Sequence, residues 1–540
     1  MKRVILVISS AFVLGYWSRV FAESFGCPRL YPSPNPLSAT SFAKTYGGIG
    51  YDFSYSVQQT SDGGYIVAGA TSSFGAGSGD IILIKTDANG NISWAKTYGR
   101  AGWDEARSVQ QTSDGGYIVA GRTNSFGAGS YDIILIKTNA NGNISWAKTY
   151  GGTDYEEASS VQQTSDGGYI VAGRTYSFGA GGYDIILIKM NANGNISWAK
   201  TYGGTDYEEA SSVQQTSDGG YIVAGATSSF GAGGYDIILI KTDANGNISW
   251  AKTYGGTDWD FASSVQQTSD GGYIVAGYTY SFGAGSYDII LIKTDANGNI
   301  SWAKTYGRAG WDEARSVQQT SDGGYIVAGY TYSFGAGSYD IILIKTDANG
   351  NISWAKTYGG TDWDEARSVQ QISDGGYIVA GRTYSFSVGS DDIFLIKTDA
   401  NGDIRSCSIV EDVSPTVITP SLTVDTPSPS VPSASPTVNS VSPTVRTPTP
   451  TVNAPCPISD DNELGISESC HCARGFITPY KGGIKVIGSG EFEVKVYNVS
   501  GGVVKSVKGK NEVKLELSRG VYFVEVVSSG RTIREKVVIR

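Results

Sequence analysis

The sequence predicts an all-β protein whose main domain is a seven-bladed β-propeller. The segment Ser-Asp-Gly-Gly-Tyr-Ile-Val-Ala-Gly occurs seven times, with its aspartate at every 52nd residue from Asp62 to Asp374. A strict period of this length predicts repeats that bury their faces against their neighbours, and four-stranded propeller repeats have roughly 40 to 50 residues. No proline lies between Ser41 and Asp403, although the chain has 16, which suits strands that need every backbone donor.

A single repeat shows four strands in succession. The first strand ends at Gln163, and a glycine-rich hairpin turn leads into the second, Tyr169 to Gly173. The apolar run from Asp184 to Lys189 is typical of a strand that is covered on both faces. After an Asn-Gly turn, Ile196 to Tyr202 forms the fourth strand. Each 52-residue repeat is therefore predicted to be one four-stranded blade.

The two ends of the repeat region predict how the ring closes. Residues 40–46 resemble the fourth strand of the first repeat, residues 92–98, whereas the last repeat loses that consensus after Gly402. We predict that the N-terminal strand completes blade seven and removes its open edge. Cys27 and Cys407 would then be neighbours, and a disulfide between them would stabilise the fold by on the order of 5 kcal/mol in the entropic model.

The composition divides the chain into six segments. Lys2 and Arg3 precede an apolar run that ends in Val20-Phe21-Ala22, as in a secretory signal peptide. From about Val410 onward Pro, Ser, Thr and Val dominate, which is typical of an extended spacer. No other run has the ~20 apolar residues that span a bilayer, so the mature chain is predicted to have no transmembrane helix. The predicted segments are a signal peptide at 1–22, an N-terminal connector at 23–39, the propeller at 40–409, a disordered stalk at 410–457, a Cys-containing connector at 458–475 and a small β-domain at 476–540.

Residues that differ between repeats gather on one rim of the predicted ring. An aromatic residue is directly followed by an acidic residue in the connection between blades at Trp103, Tyr155, Tyr207, Trp259, Trp311 and Trp363. The position after the second strand holds Arg122, Arg174, Tyr278, Tyr330 and Arg382, and two residues later come Tyr176, Tyr280, Tyr332 and Tyr384. Because Tyr, Trp and Arg are enriched at recognition sites, we predict a binding face for a glycan or a surface protein. The alternative is that these aromatic rings pack one blade against the next.

The net charge and the residue counts restrict the classes of function that the chain can have. A net charge of −10 argues against nucleic acid as a partner. The single histidine lies outside the repeats, so they hold no Ser-His-Asp triad, and we predict no enzyme and no catalytic residue. Two alternatives remain, a carbohydrate-active enzyme that uses rim carboxylates such as Glu157 or Glu209, and a self-associating structural component of a surface layer.

No metal or cofactor is predicted. The turn from Asp87 to Asn91 has the oxygen ligands of a calcium loop in part, but it lacks the closing glutamate. A hairpin turn is the favoured interpretation, and calcium is the weaker alternative.

The last 65 residues contain three motifs in a fixed order. These are Val496-Tyr497-Asn498-Val499-Ser500-Gly501-Gly502-Val503-Val504, Leu517-Ser518-Arg519-Gly520-Val521-Tyr522-Phe523-Val524 and the terminal Lys536-Val537-Val538-Ile539-Arg540. Together they resemble the C-terminal sorting domain of type IX secretion cargo. The resemblance implies an immunoglobulin-like β-sandwich, the secretion machinery as a partner, and a location outside the cell or on its outer surface.

The repeats themselves resemble those of secreted bacterial and archaeal β-propeller proteins of unknown activity. The shared marks are Trp-Ala-Lys-Thr-Tyr-Gly-Gly and Asp-Gly-Gly-Tyr-Ile-Val-Ala-Gly. This resemblance implies the fold and export, and it implies no activity.

Overall fold

A computed structural model describes residues 41–404, 407–420, 422–425, 437–440, 444–446, 451–456, 476–480, 483–498, 503–518, 520–528 and 531–539. The chain forms two compact units, Met1–Ser459 and Asp460–Arg540. The predicted signal peptide at 1–22 and the connectors at 23–39 and 458–475 lie outside the described residues. No helix in the described part of the chain is long and apolar enough to cross a membrane.

Seven antiparallel blades confirm the predicted propeller. Each blade has strands A to D, which follow chain order in blades 1 to 6, and A lines the central channel. Blades 1 to 4 are β2 (Asp52–Gln59), β3 (Tyr65–Thr71), β4 (Asp80–Thr86) and β5 (Ile92–Gly99); β6 (Asp104–Gln111), β7 (Tyr117–Thr123), β8 (Asp132–Thr138) and β9 (Ile144–Gly151); β10 (Glu156–Gln163), β11 (Tyr169–Thr175), β12 (Asp184–Met190) and β13 (Ile196–Tyr202); β14 (Glu208–Gln215), β15 (Tyr221–Thr227), β16 (Asp236–Thr242) and β17 (Ile248–Gly255). Blades 5 to 7 are β18 (Asp260–Gln267), β19 (Tyr273–Thr279), β20 (Asp288–Thr294) and β21 (Ile300–Gly307); β22 (Asp312–Gln319), β23 (Tyr325–Thr331), β24 (Asp340–Thr346) and β25 (Ile352–Tyr358); β26 (Asp364–Gln371), β27 (Tyr377–Thr383), β28 (Asp392–Thr398) and β1 (Phe42–Gly47).

The core lies between neighbouring blades. Strand C is buried along its whole length, as its continuous apolar run predicts. Ile170 and Leu187 of blade 3 pack in one cluster with Val223 and Ile238 of blade 4. The buried hydroxyl of Tyr202 donates to the carbonyl of Gly246 at 2.7 Å, so strand D of one blade holds the C–D turn of the next.

Strand β1 closes the ring, which confirms the prediction from the two ends of the repeat region. It pairs antiparallel with β28, with Tyr46 opposite Ile393. Blade 1 also contacts blade 7 directly, because Ser54 Oγ donates to the carbonyl of Gly381 at 2.8 Å. Cys407 is disulfide-bonded. Since Cys27 lies outside the described residues, the pairing of these two cysteines stays a prediction.

The segment Val410–Cys456, which we call the girdle, corrects the predicted disordered stalk. Its described residues include six short strands, each added antiparallel to the outer strand of a blade. They are β29 (Val410–Asp412) on blade 6, β30 (Thr416–Ile418) on blade 5, β31 (Thr423–Asp425) on blade 4, β32 (Thr437–Ser440) on blade 2, β33 (Thr444–Arg446) on blade 1 and β34 (Thr451–Cys456) on blade 7. The composition was misleading because the prolines before Thr451 lie outside the paired strands β29 to β33. Those strands therefore keep their backbone N–H donors.

The second unit is all-β in its described residues. It contains β35 (Phe476–Tyr480), β36 (Gly483–Asn498), β37 (Val503–Glu516), β38 (Gly520–Ser528) and β39 (Arg531–Ile539). On one side β36 pairs with β37, with a register shift between Ile487 and Glu491. The first half of β36 also pairs with β35, and the second half with β38. Val486, Val496 and Val524 are among the residues that form its core. The described strands join into one antiparallel sheet, and the immunoglobulin-like sandwich stays an expectation from the resemblance.

Candidate ligand-binding mouth

The central channel has two mouths of different composition. At the end of strand A a cavity of about 240 Å³ is lined by Val57, Gln58 and their six equivalents, the same pair in every blade. We call this the uniform mouth. Near the start of strand A a cavity of about 210 Å³ forms the variable mouth, which is lined by Tyr55, Arg107, Glu157, Ser159, Glu209, Ser211, Ser263, Arg315 and Arg367.

The fourth residue of strand A makes the variable mouth asymmetric. Blades 6, 7, 1 and 2 contribute Arg315, Arg367, Tyr55 and Arg107, and blades 3, 4 and 5 each contribute a serine. The guanidinium groups of Arg107 and Arg367 lie 4.8 and 5.4 Å from the ring centre of Tyr55. One side of the cavity therefore presents cations around an aromatic ring, and the other presents hydroxyl groups.

Each cavity arginine is held by a glutamate two residues earlier, which places both side chains on the same face of the strand. Arg107 Nε donates to Glu105 at 2.5 Å and Arg367 Nε to Glu365 at 2.6 Å. Burial alone would lower the pKa of Arg107, but Glu105, Tyr55 and Glu157 together outweigh it and raise the pKa. The guanidinium groups are thus charged and oriented before any ligand arrives.

Three predicted contact residues, Arg122, Arg174 and Arg382, lie inside strand B rather than after it, and their side chains are half-buried in ion pairs. Arg174 bridges Glu157 at 3.0 Å and Glu209 at 2.9 Å, which ties blade 3 to blade 4. Arg122 bridges Glu105 and Glu157, each at 3.1 Å. These arginines support the mouth, whereas Arg107, Arg315 and Arg367, which sequence reasoning did not select, line it.

The two carboxylates of the cavity differ in pKa. Burial raises the pKa of Glu157, but Arg107, Arg174 and Arg122 outweigh it and hold the pKa below its usual range. Burial raises the pKa of Glu209, and Arg174 only partly offsets this effect. The pKa values of two glutamates bridged by one arginine are therefore shifted in opposite directions.

An aromatic belt surrounds the variable mouth. The predicted aromatic residues form it together with a tyrosine that precedes strand C in five blades, which sequence reasoning missed: Tyr131, Tyr183, Tyr235, Tyr287 and Tyr339. Comparing that position across repeats would have found them, because blades 1 and 7 carry Gly79 and Asp391 there. Tyr183 contacts the rings of Tyr155, Tyr176 and Tyr207 at centroid distances of 5.6, 5.1 and 5.3 Å.

The predicted aromatic residues differ in exposure. Tyr176, Tyr280 and Tyr332 are 52%, 50% and 59% exposed, and Trp259 and Trp311 are exposed as well. Trp103, Tyr155, Tyr207, Trp363, Tyr384 and Tyr278 are half-buried, and Tyr330 is buried. Both interpretations of the sequence therefore describe part of the set, since some rings pack between blades and others face solvent.

The acidic residue that directly follows each of these connection aromatics is buried rather than exposed. Glu156 is buried at the start of β10, where it accepts from Thr175 Oγ1 at 2.8 Å and from the backbone N–H of Gly152 at 2.6 Å. Its equivalents in the other blades are buried too. These carboxylates hold the loops in place. In the described residues, no three His, Cys, Asp or Glu side chains form a group that could hold a metal ion.

Comparison with known protein families identifies both parts of the chain. Residues 478–540 match the secretion system C-terminal sorting domain. Residues 112–144, 268–300 and 320–352 match a beta-propeller domain of unknown function. The protein is a β-propeller repeat protein that carries a type IX sorting domain. The sorting domain indicates export to the cell surface or the extracellular space.

Two individual proteins are similar to the chain. The regulatory protein FlaEY of Caulobacter vibrioides is 27% identical over 267 residues, which is 45% of this chain and 26% of FlaEY. The chain thus spans about a quarter of that relative's length. A crystal structure of a eukaryotic initiation factor covers 68% of this chain and 100% of its own at 9% identity, and its TM-score of 0.30 is too low to support an argument.

Proposed function

We propose that this protein is an exported binding module that recognises a glycan through the variable mouth and the aromatic belt. One observation carries the proposal. Exposed rings such as Tyr176, Tyr280 and Tyr332 lie on the same rim as a cavity lined by guanidinium and hydroxyl groups. Aromatic faces accept the apolar faces of sugar rings, and the polar groups fix their orientation.

The charges favour a glycan with an acidic group. Arg107, Arg315 and Arg367 line the cavity, and each retains N–H groups beyond those bound to its own glutamate. Arginine binds carboxylate and sulfate oxygens in a planar fork, and the hydroxyls of Ser159, Ser211 and Ser263 suit sugar hydroxyls opposite. A uronic acid or a sulfated sugar matches this arrangement better than a neutral chain does.

The test is binding of the purified full-length protein to an array of neutral, carboxylated and sulfated glycans. We expect signal on the acidic members, and a Tyr176→Ala, Tyr280→Ala, Tyr332→Ala variant should bind at least tenfold more weakly at an unchanged melting temperature. The matched control replaces Ser165, Ser269 and Ser321 by alanine in exposed A–B turns at the opposite end of the same blades. Equal binding by both variants, or no binding to any glycan, would refute the proposal.

A carbohydrate-active enzyme is the second candidate, and the divergent pKa values of Glu157 and Glu209 favour it. Glycosidases use one carboxylate and one carboxylic acid, and environments that separate two pKa values assign those roles. On this hypothesis Glu209 is the acid and Glu157 the carboxylate. Glycans that bind should then be cleaved, and Glu209→Gln should abolish cleavage while binding persists. Intact glycan after prolonged incubation with the native protein excludes this candidate.

A further inference from the structure

The girdle has a period of seven residues. A valine stands at every seventh position, at Val410, Val417, Val424, Val431, Val438, Val445 and Val452. Three repeats have the form Ser-Pro-Thr-Val, as in Ser435-Pro436-Thr437-Val438, and those that end at Val424, Val431 and Val452 differ from it at one position. The series has seven members and the propeller has seven blades, so the girdle contains one short repeat for each blade.

The pairing register of the girdle strands follows the same seven-residue period. In every described case the valine lies opposite the tyrosine of the outer strand: Val410 opposite Tyr358, Val417 opposite Tyr306, Val424 opposite Tyr254, Val438 opposite Tyr150, Val445 opposite Tyr98 and Val452 opposite Tyr46. From Val424 to Val438 the girdle advances by two periods and the pairing moves by two blades, from blade 4 to blade 2. Val431 lies outside the described residues.

Contacts beside the paired strands hold the first repeats of the girdle. The backbone N–H of Val413 donates to the carbonyl of Ala355 at 3.0 Å, and Asp412 forms an ion pair with Lys356 at 3.1 Å. The side chain of Val413 packs against the core between blades 5 and 6, and that of Leu422 packs against the core between blades 4 and 5.

We propose that the outer edges of the blades are β-addition sites for extended Ser-Pro-Thr-Val segments, and that their occupant is the girdle of the same chain. An exposed strand edge is a template for pairing with any other chain, and a ring of four-stranded blades has one such edge per blade. Added strands bind mainly through backbone hydrogen bonds, so one short repeat serves every blade. The last girdle strand, β34, pairs with β1, so the strand that closes the ring is held on both sides.

The first test measures amide hydrogen exchange in the full-length protein and a Val424→Pro variant. Proline lacks an N–H and disrupts strand pairing, so β31 should leave blade 4. The reporter is the peptide of residues 253–261, which Phe261 distinguishes from residues 357–365 and Trp259 distinguishes from residues 45–53. We expect its exchange to accelerate at least tenfold, while residues 357–365 of blade 6 stay unchanged and show that the propeller remains folded. A Thr419→Pro control changes a residue between two pairing segments and should leave both peptides as in the native chain.

The second test asks whether the freed edge binds a segment supplied from outside. A synthetic peptide of residues 435–446 should restore slow exchange of residues 253–261 in the Val424→Pro variant. It is added at millimolar concentration, which matches the effective concentration of a tethered segment. Light scattering should show that the native protein is a monomer. Fast exchange at 253–261 in the native protein, or no response to the peptide, refutes the β-addition site. A native dimer that the Val424→Pro change dissociates would overturn the assignment of the occupant to the same chain.

Discussion

The two mouths of the channel are built by the same seven strands, yet one has the same residues in every blade and the other combines arginine, tyrosine, glutamate and serine side chains. At the uniform mouth the side chain of Gln162 accepts from the backbone N–H of Gln215 in the next blade at 2.6 Å, and the equivalent bond occurs at every blade boundary. A changed residue there would leave a backbone donor unpaired. At the variable mouth the side chains face a cavity and pair with one another, so they can differ without breaking the sheets.

Removing the disulfide of Cys407 is expected to have the largest effect on stability, because a covalent link across so long a loop restricts the unfolded chain most. Cys407→Ser removes the disulfide that Cys407 forms, and we expect a loss of on the order of 5 kcal/mol in the free energy of unfolding if the partner is Cys27. Chemical denaturation measures the loss, and peptide mapping without reduction identifies the partner. A bond from Cys407 to any other cysteine contradicts the predicted pair and shortens the closed loop.

The next change distinguishes residues that stabilise the variable mouth from residues that face its cavity. Arg174→Ala leaves Glu157 and Glu209 without their shared partner, and we expect a loss of about 2 kcal/mol, since the ion pairs are half-buried and Glu157 keeps Arg107 and Arg122. Urea unfolding measures this loss. Ser211→Ala in the same cavity is the control and should change the free energy by less than about 0.5 kcal/mol. Equal effects of the two changes would mean that Arg174 is a free contact residue.

A substitution at the uniform mouth should affect stability alone. Gln214→Ala removes the acceptor of the Gln267 backbone N–H, now bound at 2.5 Å, and we expect a loss of about 1 to 2 kcal/mol. Thermal unfolding and glycan binding are measured on the same sample. Binding that weakens with Gln214→Ala at temperatures well below unfolding would assign a ligand role to both mouths.

The two rims should respond to pH in opposite directions. At the variable end, burial raises the pKa of Asp184, Asp288 and Asp340 to about 6. An unfolded aspartate has a pKa near 3.9, so the folded state binds more protons between about pH 4 and 6, and stability falls as the pH rises through that window. We expect a gain of about 1 kcal/mol per carboxyl when the pH is lowered from 7 to 5.

At the uniform end, burial opposes ionisation of Asp114, but hydrogen bonds from Lys137 and Thr112 outweigh it and lower the pKa to about 2. The folded pKa lies below the unfolded one, so this contribution is present above about pH 4 and is lost only as the pH falls toward 2. A melting temperature that rises from pH 7 to 5 and falls below pH 4 is the expected profile. A steady fall from pH 7 downward would contradict it.

The exposed ring of Tyr176 should have the smallest effect on stability. Tyr176→Ala removes a half-exposed ring that packs on Tyr183, and we expect less than about 0.5 kcal/mol of destabilisation. Calorimetry measures the melting temperature, and the same variant is tested for glycan binding. Tyr330→Ala is the contrasting change, because Tyr330 is buried and its removal should lower the melting temperature by several degrees.

Sequence patterns predicted the fold because the blades repeat in the sequence with a fixed period. The 52-residue repeat defined the blades, and the mismatch between Ile404 and the usual fourth strand indicated closure by β1. The site was predicted only in part. Tyr176, Tyr280 and Tyr332 are exposed as a binding face requires, but Arg122 and Arg174 support the mouth instead of lining it. Arg107, Arg315 and Arg367 were missed because they lie within a strand, where a variable residue resembles ordinary surface variation.

The sequence by itself determined the seven blades, the ring closure and the sorting domain, because these depend on backbone patterns that recur locally along the chain. Only the tertiary structure decided which variable residues meet at the channel, since Tyr55 and Arg367 are more than 300 residues apart and become neighbours only when the ring closes. It also decided the role of the girdle. A Pro-, Ser- and Thr-rich segment cannot bury a core of its own, but it gains order from strand edges that the propeller already presents.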